Sequence, residues 1–375
     1  MTALPARPFS AGDFPELDAL RALIARAGTA LRARTLCEVN CDGERLPVEA
    51  IEIGATAADA PAVGFFGGVH GVERIGTQVV LAYLHTLVER LQWDDTLPPL
   101  LERVRLVFMP LVNPGGMLRR TRSNLAGVDL MRNGPNDADC RVPLLLGGHR
   151  LGPWLPWYRG RRDAPLQPEA QALCDTVDQR LASQPFSIAL DCHSGFGTRD
   201  HVWFPYAGSR RPIDCLADIY ALRSLFRSTH PYHGIYIIEP QSRRYTTHGD
   251  LWDWLYQRSR ETGRGPRPSD ARPSNPLPSE VRPSNLFLPL TLEMGSWLWV
   301  KKNPLQLFGR LGLFNPIETH RMHRNLRRHL TFLDFLVRAA ASHARWRPPE
   351  DQRQALFDSA LAYWMSRPLS LMAAR

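Results

Sequence analysis

The 375-residue chain contains no Cys-x-x-Cys pair, little lysine and no uninterrupted apolar run approaching ~20 residues. The six cysteines, at positions 37, 41, 140, 174, 192 and 215, stand singly, and a chain of this length needs no disulfide staples. Free thiols in a reducing compartment are expected. The first residues, Met-Thr-Ala-Leu-Pro-Ala-Arg-Pro-Phe, lack a basic stretch followed by an apolar core, so no signal peptide is read and a cytoplasmic location is expected. Without a long apolar run, no membrane span is expected. The formal net charge of +9 and pI near 9.6 rest on arginines spread along the chain. No nucleic-acid fold signature or aromatic–basic platform accompanies them, so no nucleic-acid partner is expected. With 44% hydrophobic residues the chain can bury a sizeable core, which excludes global disorder.

The pattern of elements predicts an α/β fold. Helical spacing over 14–27 gives a lead-in helix, and apolar alternation over 34–39 and 46–53 around Asp42-Gly43 reads as a hairpin. Residues 62–66 form a buried strand, 76–91 a long amphipathic helix and 104–111 the next strand. Further helices are predicted at 168–183 and 213–228, 245–256 reads as a polar loop continuing into a helix through Leu251, Trp252, Trp254 and Leu255, and strands are predicted at 187–190, 233–239 and 286–293. Strand–helix–strand alternation implies a mixed, mostly parallel twisted sheet covered by helices on both faces. One catalytic domain is expected over 1–345, with a helical extension over 346–375 packed on it. Within it, 261–285 repeats Arg-Pro-Ser or Leu-Pro-Ser, and prolines at that density predict a flexible insertion.

Chemistry concentrates where strands end. The run Ala62-Val-Gly-Phe-Phe-Gly-Gly-Val-His70-Gly-Val-Glu73 empties an apolar strand into two glycines, then places His70 and Glu73 three residues apart. An imidazole and a carboxylate aimed at one point are ligand types of catalytic zinc, which needs a third protein ligand. A plain glycine turn followed by an acidic first helical turn would look the same. A second strand end, Asp191-Cys192-His193-Ser194-Gly195, repeats the arrangement and offers that third ligand. Glu293 closes the last apolar strand before Met294-Gly295, and a lone acid there is costly unless it has work or a partner. An arginine-dense loop follows the strand ending at Pro110, poised for an anionic group.

In order along 62–295, these pieces resemble the zinc metallocarboxypeptidases of the carboxypeptidase A type. His70-x-x-Glu73 resembles the first ligand pair, His193-Ser194 the third ligand, and Glu293 the general base. Leu118-Arg119-Arg120-Thr121-Arg122-Ser123 resembles the substrate-binding arginine segment, with Arg119 at the position that polarises the scissile carbonyl. Gly127-Val128-Asp129-Leu130-Met131-Arg132-Asn133 resembles the Gly-Val-Asp-Leu-Asn-Arg-Asn signature, and Tyr158-x-Gly160 with Pro168-Glu169 resembles a further loop of the family. Tyr245 falls where the family keeps its mobile tyrosine, and Trp252 where it keeps a pocket-floor specificity residue.

The resemblance implies one Zn²⁺ per chain and hydrolysis of a C-terminal peptide bond, with Arg122, Arg132, Tyr245 and Trp252 binding substrate. One position departs from the pattern. Met131 replaces the carboxylate-binding asparagine, and a thioether cannot donate a hydrogen bond, so capture of a free terminal carboxylate falls to Arg122 or Arg132. Amidohydrolases of the aspartoacylase or succinylglutamate desuccinylase type, acting on N-acylamino acids, are the alternative. They share a strand-end His-x-x-Glu and a later His, but not the fuller arginine segment or the tyrosine. A non-catalytic binder on the same fold is disfavoured by the presence of all three ligands with Arg119 and Glu293.

Overall fold

The computed structural model describes residues 14–262, 285–309 and 311–365. Eight strands form one mixed sheet in the order β1-β2-β4-β3-β5-β8-β6-β7. They are β1 (Arg32–Cys41), β2 (Glu44–Gly54), β3 (Ala62–Gly67), β4 (Arg105–Met109), β5 (Phe186–Ser194), β6 (His201–Phe204), β7 (Ile237–Pro240) and β8 (Leu286–Met294). Through the centre, β4, β3, β5 and β8 run parallel. The hairpin β1–β2 joins antiparallel on one side, and β6 meets β8 antiparallel on the other. At the hairpin turn Asp42 and Gly43 both take positive φ (55° and 88°), as a two-residue Asp-Gly turn requires.

Before the second half of the sheet come helices α1 (Pro15–Ala27), α2 (Arg74–Arg90), α3 (Leu97–Leu101), α4 (Pro114–Arg119) and α5 (Pro168–Val177). Helices α6 (Leu216–Thr229) and α7 (Leu251–Thr262) fall between β6, β7 and β8, and α8 (Trp297–Lys302), α9 (Thr319–Ala341), α10 (His343–Trp346) and α11 (Glu350–Trp364) follow the last strand. Neighbouring strand residues point to opposite faces, and β3 shows what each face meets. Phe65 packs edge-on against Tyr83 of α2, while Phe66 packs against Trp252 of α7. The expected helix-covered sheet is thus observed. The strands β3, β5 and β8 are buried along their whole length, which explains their apolar sequences.

Strand β5 runs four residues beyond the predicted 187–190. The extension carries Asp191 and His193, polar residues that stay in the strand because each finds a buried partner. The four-residue β6 carries no pattern long enough to predict. Residues 263–284, the bulk of the expected insertion, lie outside the described residues, as do 366–375. Within the C-terminal segment, α11 docks on α6. Trp364 is fully buried and donates its indole N–H to the Ile238 carbonyl at 2.7 Å, and Arg353 pairs with Asp218.

The turn from β3 into α2 is held on several sides. Asn315 accepts from the Ile75 amide (2.9 Å) and donates to the Val72 carbonyl (2.7 Å), while Arg74 forms a buried pair with Glu16 of α1 (3.0 Å). Gly76, in the first turn of α2, lies against β5: a Cβ there would stand 2.1 Å from the Cys192 carbonyl oxygen. Backbone cannot yield as a flexible side chain can. Gly76→Ala is therefore expected to cost about 1–3 kcal/mol in urea unfolding. An unchanged midpoint would show that α2 can move off the strand freely.

Candidate active site

Three neighbouring parallel strands deliver their C-terminal ends to one point. The register pairs Gly67 with Cys192 and His193 with Glu293, so the chain leaving β3, the end of β5 and the end of β8 lie side by side. Such a crevice beyond the carboxyl ends of strands is where open α/β sheets place ligands. After β3, Gly68 takes φ +67°, and a Cβ on it would stand 2.6 Å from the Thr77 hydroxyl, so the chain turns sharply. His70 and Glu73 follow, joined by a hydrogen bond from the Glu73 amide to the His70 carbonyl at 3.0 Å.

His70, Glu73 and His193 are all buried, and one ligand atom from each lies within 4.8 Å of the others. His70 Nδ1 stands 2.9 Å from Glu73 Oε1, His193 Nδ1 3.0 Å from Glu73 Oε2, and the two Nδ1 atoms are 3.2 Å apart. Ligands about 2.0–2.1 Å from a tetrahedral zinc stand roughly 3.3 Å from one another, so this spacing suits such an ion. Both imidazoles turn their other nitrogen to an acid. His70 Nε2 meets Asp129 Oδ1 at 3.0 Å, and His193 Nε2 meets Asp191 Oδ2 at 2.6 Å. In His193, Nε2–H donating to Asp191 leaves Nδ1 as a lone pair facing the cluster, the tautomer a metal ligand needs, whereas His70 Nε2 also has Arg122 Nη2 at 2.9 Å. The donor set and its backing acids fit a zinc ion.

The electrostatics agree. Burial works against ionisation of Glu73, but His70 and His193 outweigh it and hold the carboxyl well below its usual range. Burial likewise opposes charge on His193, yet Asp191 and Glu73 raise it well above an ordinary histidine. The cluster is thus a strong trap for positive charge. Glu293 behaves oppositely. Burial, reinforced by Glu73, pushes its carboxyl up to about 8, against the pull of His193 and Arg122. Its Oε1 accepts the Phe196 amide at 3.0 Å.

These groups open onto a cavity of about 740 Å³, whose wall also carries Arg122, Arg132, Tyr245 and Asp250. Arg122 reaches Glu73 Oε1 with Nη1 (3.1 Å) and Asp129 Oδ2 with Nε (2.9 Å). Arg132 is buried and forms no ion pair with an acid among the described residues, and its Nε lacks a hydrogen-bond partner. Tyr245 lies against Phe196 and Trp203, with ring centroids 5.8 Å from each. Met131 is buried on the wall.

Two expected site residues lie elsewhere. Arg119 does not reach the cluster: its guanidinium is half-exposed, pairs with Asp42 and donates to Cys41 Sγ at 3.3 Å. The helix α4 ends at Arg119, and Arg120 adopts a left-handed conformation (φ 55°) that redirects the chain. Arg122, not Arg119, thereby enters the site. Trp252 does not line the cavity either. It is buried against Phe66 and donates its indole N–H to Asp191 Oδ2 at 2.9 Å. Because α7 begins at Leu251, the wall position falls to Asp250, whose Oδ1 accepts the Trp252 and Asp253 amides. Asp129 and Asp191 carry no assigned role in the sequence reading. Asp191-x-His193 was a usable signal, since residues two apart share one face of a strand. Asp129 reaches His70 from a separate loop 59 residues away, which no local pattern announces.

A family model described as zinc carboxypeptidase matches residues 43–262. Carboxypeptidase SOL1 of Arabidopsis thaliana is 34% identical over 76 residues, 20% of this chain, and carboxypeptidase D of Homo sapiens is 23% identical over 182 residues, 46% of it. The matches span only 16% and 11% of those relatives' own lengths. Among solved structures, carboxypeptidase A from Helicoverpa armigera shares the fold with a TM-score of 0.64 at 16% identity, covering 92% of this chain and 78% of that one. Bovine thrombin-activatable fibrinolysis inhibitor, in complex with a tick carboxypeptidase inhibitor, gives 0.62 at 14% identity, covering 90% and 99%.

The backing acids carry a measurable share of the site. Asp191→Asn is expected to weaken zinc binding about 10–100-fold in competition with a chromophoric chelator. Trp252→Phe, which removes the indole donor to Asp191 along with some buried volume, should weaken it less. Unchanged affinity in Asp191→Asn would mean that Asp191 does not orient His193.

Proposed function

Because the chain belongs to the zinc carboxypeptidase family, we propose that it is a zinc-dependent carboxypeptidase, hydrolysing the C-terminal amide bond of peptides, with His70, Glu73 and His193 holding the metal. The observation that carries this reading is the juxtaposition of the buried His-Glu-His cluster with Arg132, a buried guanidinium in no direct ion pair among the described residues, on one cavity wall. The cluster marks where an amide would be attacked, and Arg132 is the group a free terminal carboxylate would seek. The relatives named above are carboxypeptidases, and the N-acylamino acid reading draws no support from them.

Zinc, when bound, supplies a Lewis acid that polarises a carbonyl and makes water a nucleophile near neutral pH. The chain's own residues do the rest. Glu293 takes the proton of the attacking water and passes it to the departing nitrogen, a role its place on the cavity wall beside the cluster suits. Arg122, fixed by Asp129, is the cation offered to the oxyanion as it develops, the part the sequence reading gave to Arg119. Arg132 holds the terminal carboxylate, and Tyr245 stands beside it on the same wall. With Met131 unable to donate, recognition of the carboxylate rests more heavily on Arg132.

N-blocked peptides with free and with amidated C-termini test this directly. Glu293→Gln should lower kcat on the free peptides by about 10²–10⁴-fold while zinc content stays at the wild-type level. Arg132→Ala should raise KM for the free peptides and narrow their advantage over the amidated ones. Equal hydrolysis of both forms by the unaltered protein would contradict exopeptidase action.

A further inference from the structure

The segment running from α8 into α9 is one-sided in both polarity and charge. Trp299 and Gln306 face inward: both are buried, and Gln306 donates to the Gly312 carbonyl. Around these anchors the apolar side chains point out. Trp297 is 46% exposed, Leu305 74%, Leu307 53% and Phe308 89%. One exposed apolar residue is ordinary, but these four lie together on a single anchored stretch and form a patch. Cations frame it. Lys301 and Lys302 are the only lysines in the chain, and both are exposed without an acid partner among the described residues. The first turns of α9 add Arg324 and Arg327, exposed and likewise unpaired among the described residues. Arg321 ties those turns to α8 by donating to the Trp299 carbonyl at 3.4 Å. From 294 to 333 the sequence holds seven Lys and Arg against one acid, Glu318.

We infer that this face docks on an anionic phospholipid surface. Charge selects the partner: ammonium and guanidinium groups with almost no acid near them are attracted to a negatively charged leaflet. Leu305, Leu307 and Phe308 gain by leaving water for the acyl boundary, and an indole such as that of Trp297 is at home at the headgroup level. A second copy of the chain fits the patch poorly, because a two-fold contact would set the same cations against one another. Nucleic acid would meet the cations and leave the leucines in water. Docking of this kind needs no spanning helix, and no described helix is long and apolar enough to cross a membrane. Trp297 also lines the cavity that holds the His-Glu-His cluster, so docking brings that side of the cavity to the lipid–water boundary. The inference stands on surface chemistry alone and is independent of the reaction proposed above.

Co-sedimentation of the full chain with vesicles tests it. Mixed phosphatidylglycerol–phosphatidylcholine vesicles should retain the protein at low salt and release it at high salt. Pure phosphatidylcholine vesicles should bind it at least about tenfold more weakly. Lys301→Gln combined with Lys302→Gln should weaken partitioning to the mixed vesicles about tenfold. Leu305→Ser combined with Phe308→Ser should weaken it by a similar factor. Both double variants should keep the wild-type thermal midpoint, since all four positions are exposed. Failure to bind the mixed vesicles, equal binding to neutral ones, or binding that persists in the serine variant would overturn the inference. So would a lipid-free dimer that the serine variant dissolves, or binding to single-stranded DNA as tight as to the mixed vesicles.

Discussion

The imidazole of His193 is clasped between two carboxylates, Asp191 behind it at 2.6 Å and Glu73 before it at 3.0 Å, and the architecture serves that contact. His70 is held in the same manner between Asp129 and Glu73. Glu73, Asp129 and Asp191 are buried around the two imidazoles, with Arg122 paired to Glu73 and Asp129. Buried carboxylates need compensation, and a cation at the centre would supply it with the donor atoms already at ligand spacing. The cluster is unfavourable as a packing element and favourable as a receptor for a metal.

Sheet topology makes the cluster possible. Parallel β3, β5 and β8 are immediate neighbours, so His70, Glu73, His193 and Glu293 converge although they lie far apart in sequence. The glycines at 68 and 76 permit the β3–α2 connection to turn sharply and lie directly on β5. Asn315 and the Glu16–Arg74 pair then fix that connection from outside the sheet. His193 sits in β5 itself, while His70 and Glu73 sit in the short turn between β3 and α2, which these contacts hold in place.

Much of this was legible in the sequence, and the misses have physical causes. Long buried strands such as 62–66 and 286–293 announce themselves because both faces are covered and the residues are almost uniformly apolar. His70, Glu73 and His193 could be read because strand-end position and close spacing are local properties. Arg119 could not be separated from Arg122 by pattern: which arginine enters the site depends on one left-handed residue, Arg120, and on the pull of Asp42 from a hairpin 77 positions away. Trp252 was expected at the pocket where Asp250 stands, since a shift of helix start by a few residues rotates which side chain meets the cavity. Asp129 as a backing acid is a tertiary fact, formed only when its loop folds over His70.

The central claim is that His70, Glu73 and His193 bind one zinc ion as a set. Zinc-edge X-ray absorption on the purified protein, combined with elemental analysis, tests it most directly. The account predicts one zinc per chain, two imidazole nitrogens and carboxylate oxygen at about 2.0–2.2 Å, and no sulfur shell. In His193→Ala the same measurement should find one imidazole fewer or no retained metal. A sulfur-containing shell, or no stoichiometric zinc after loading, would contradict it.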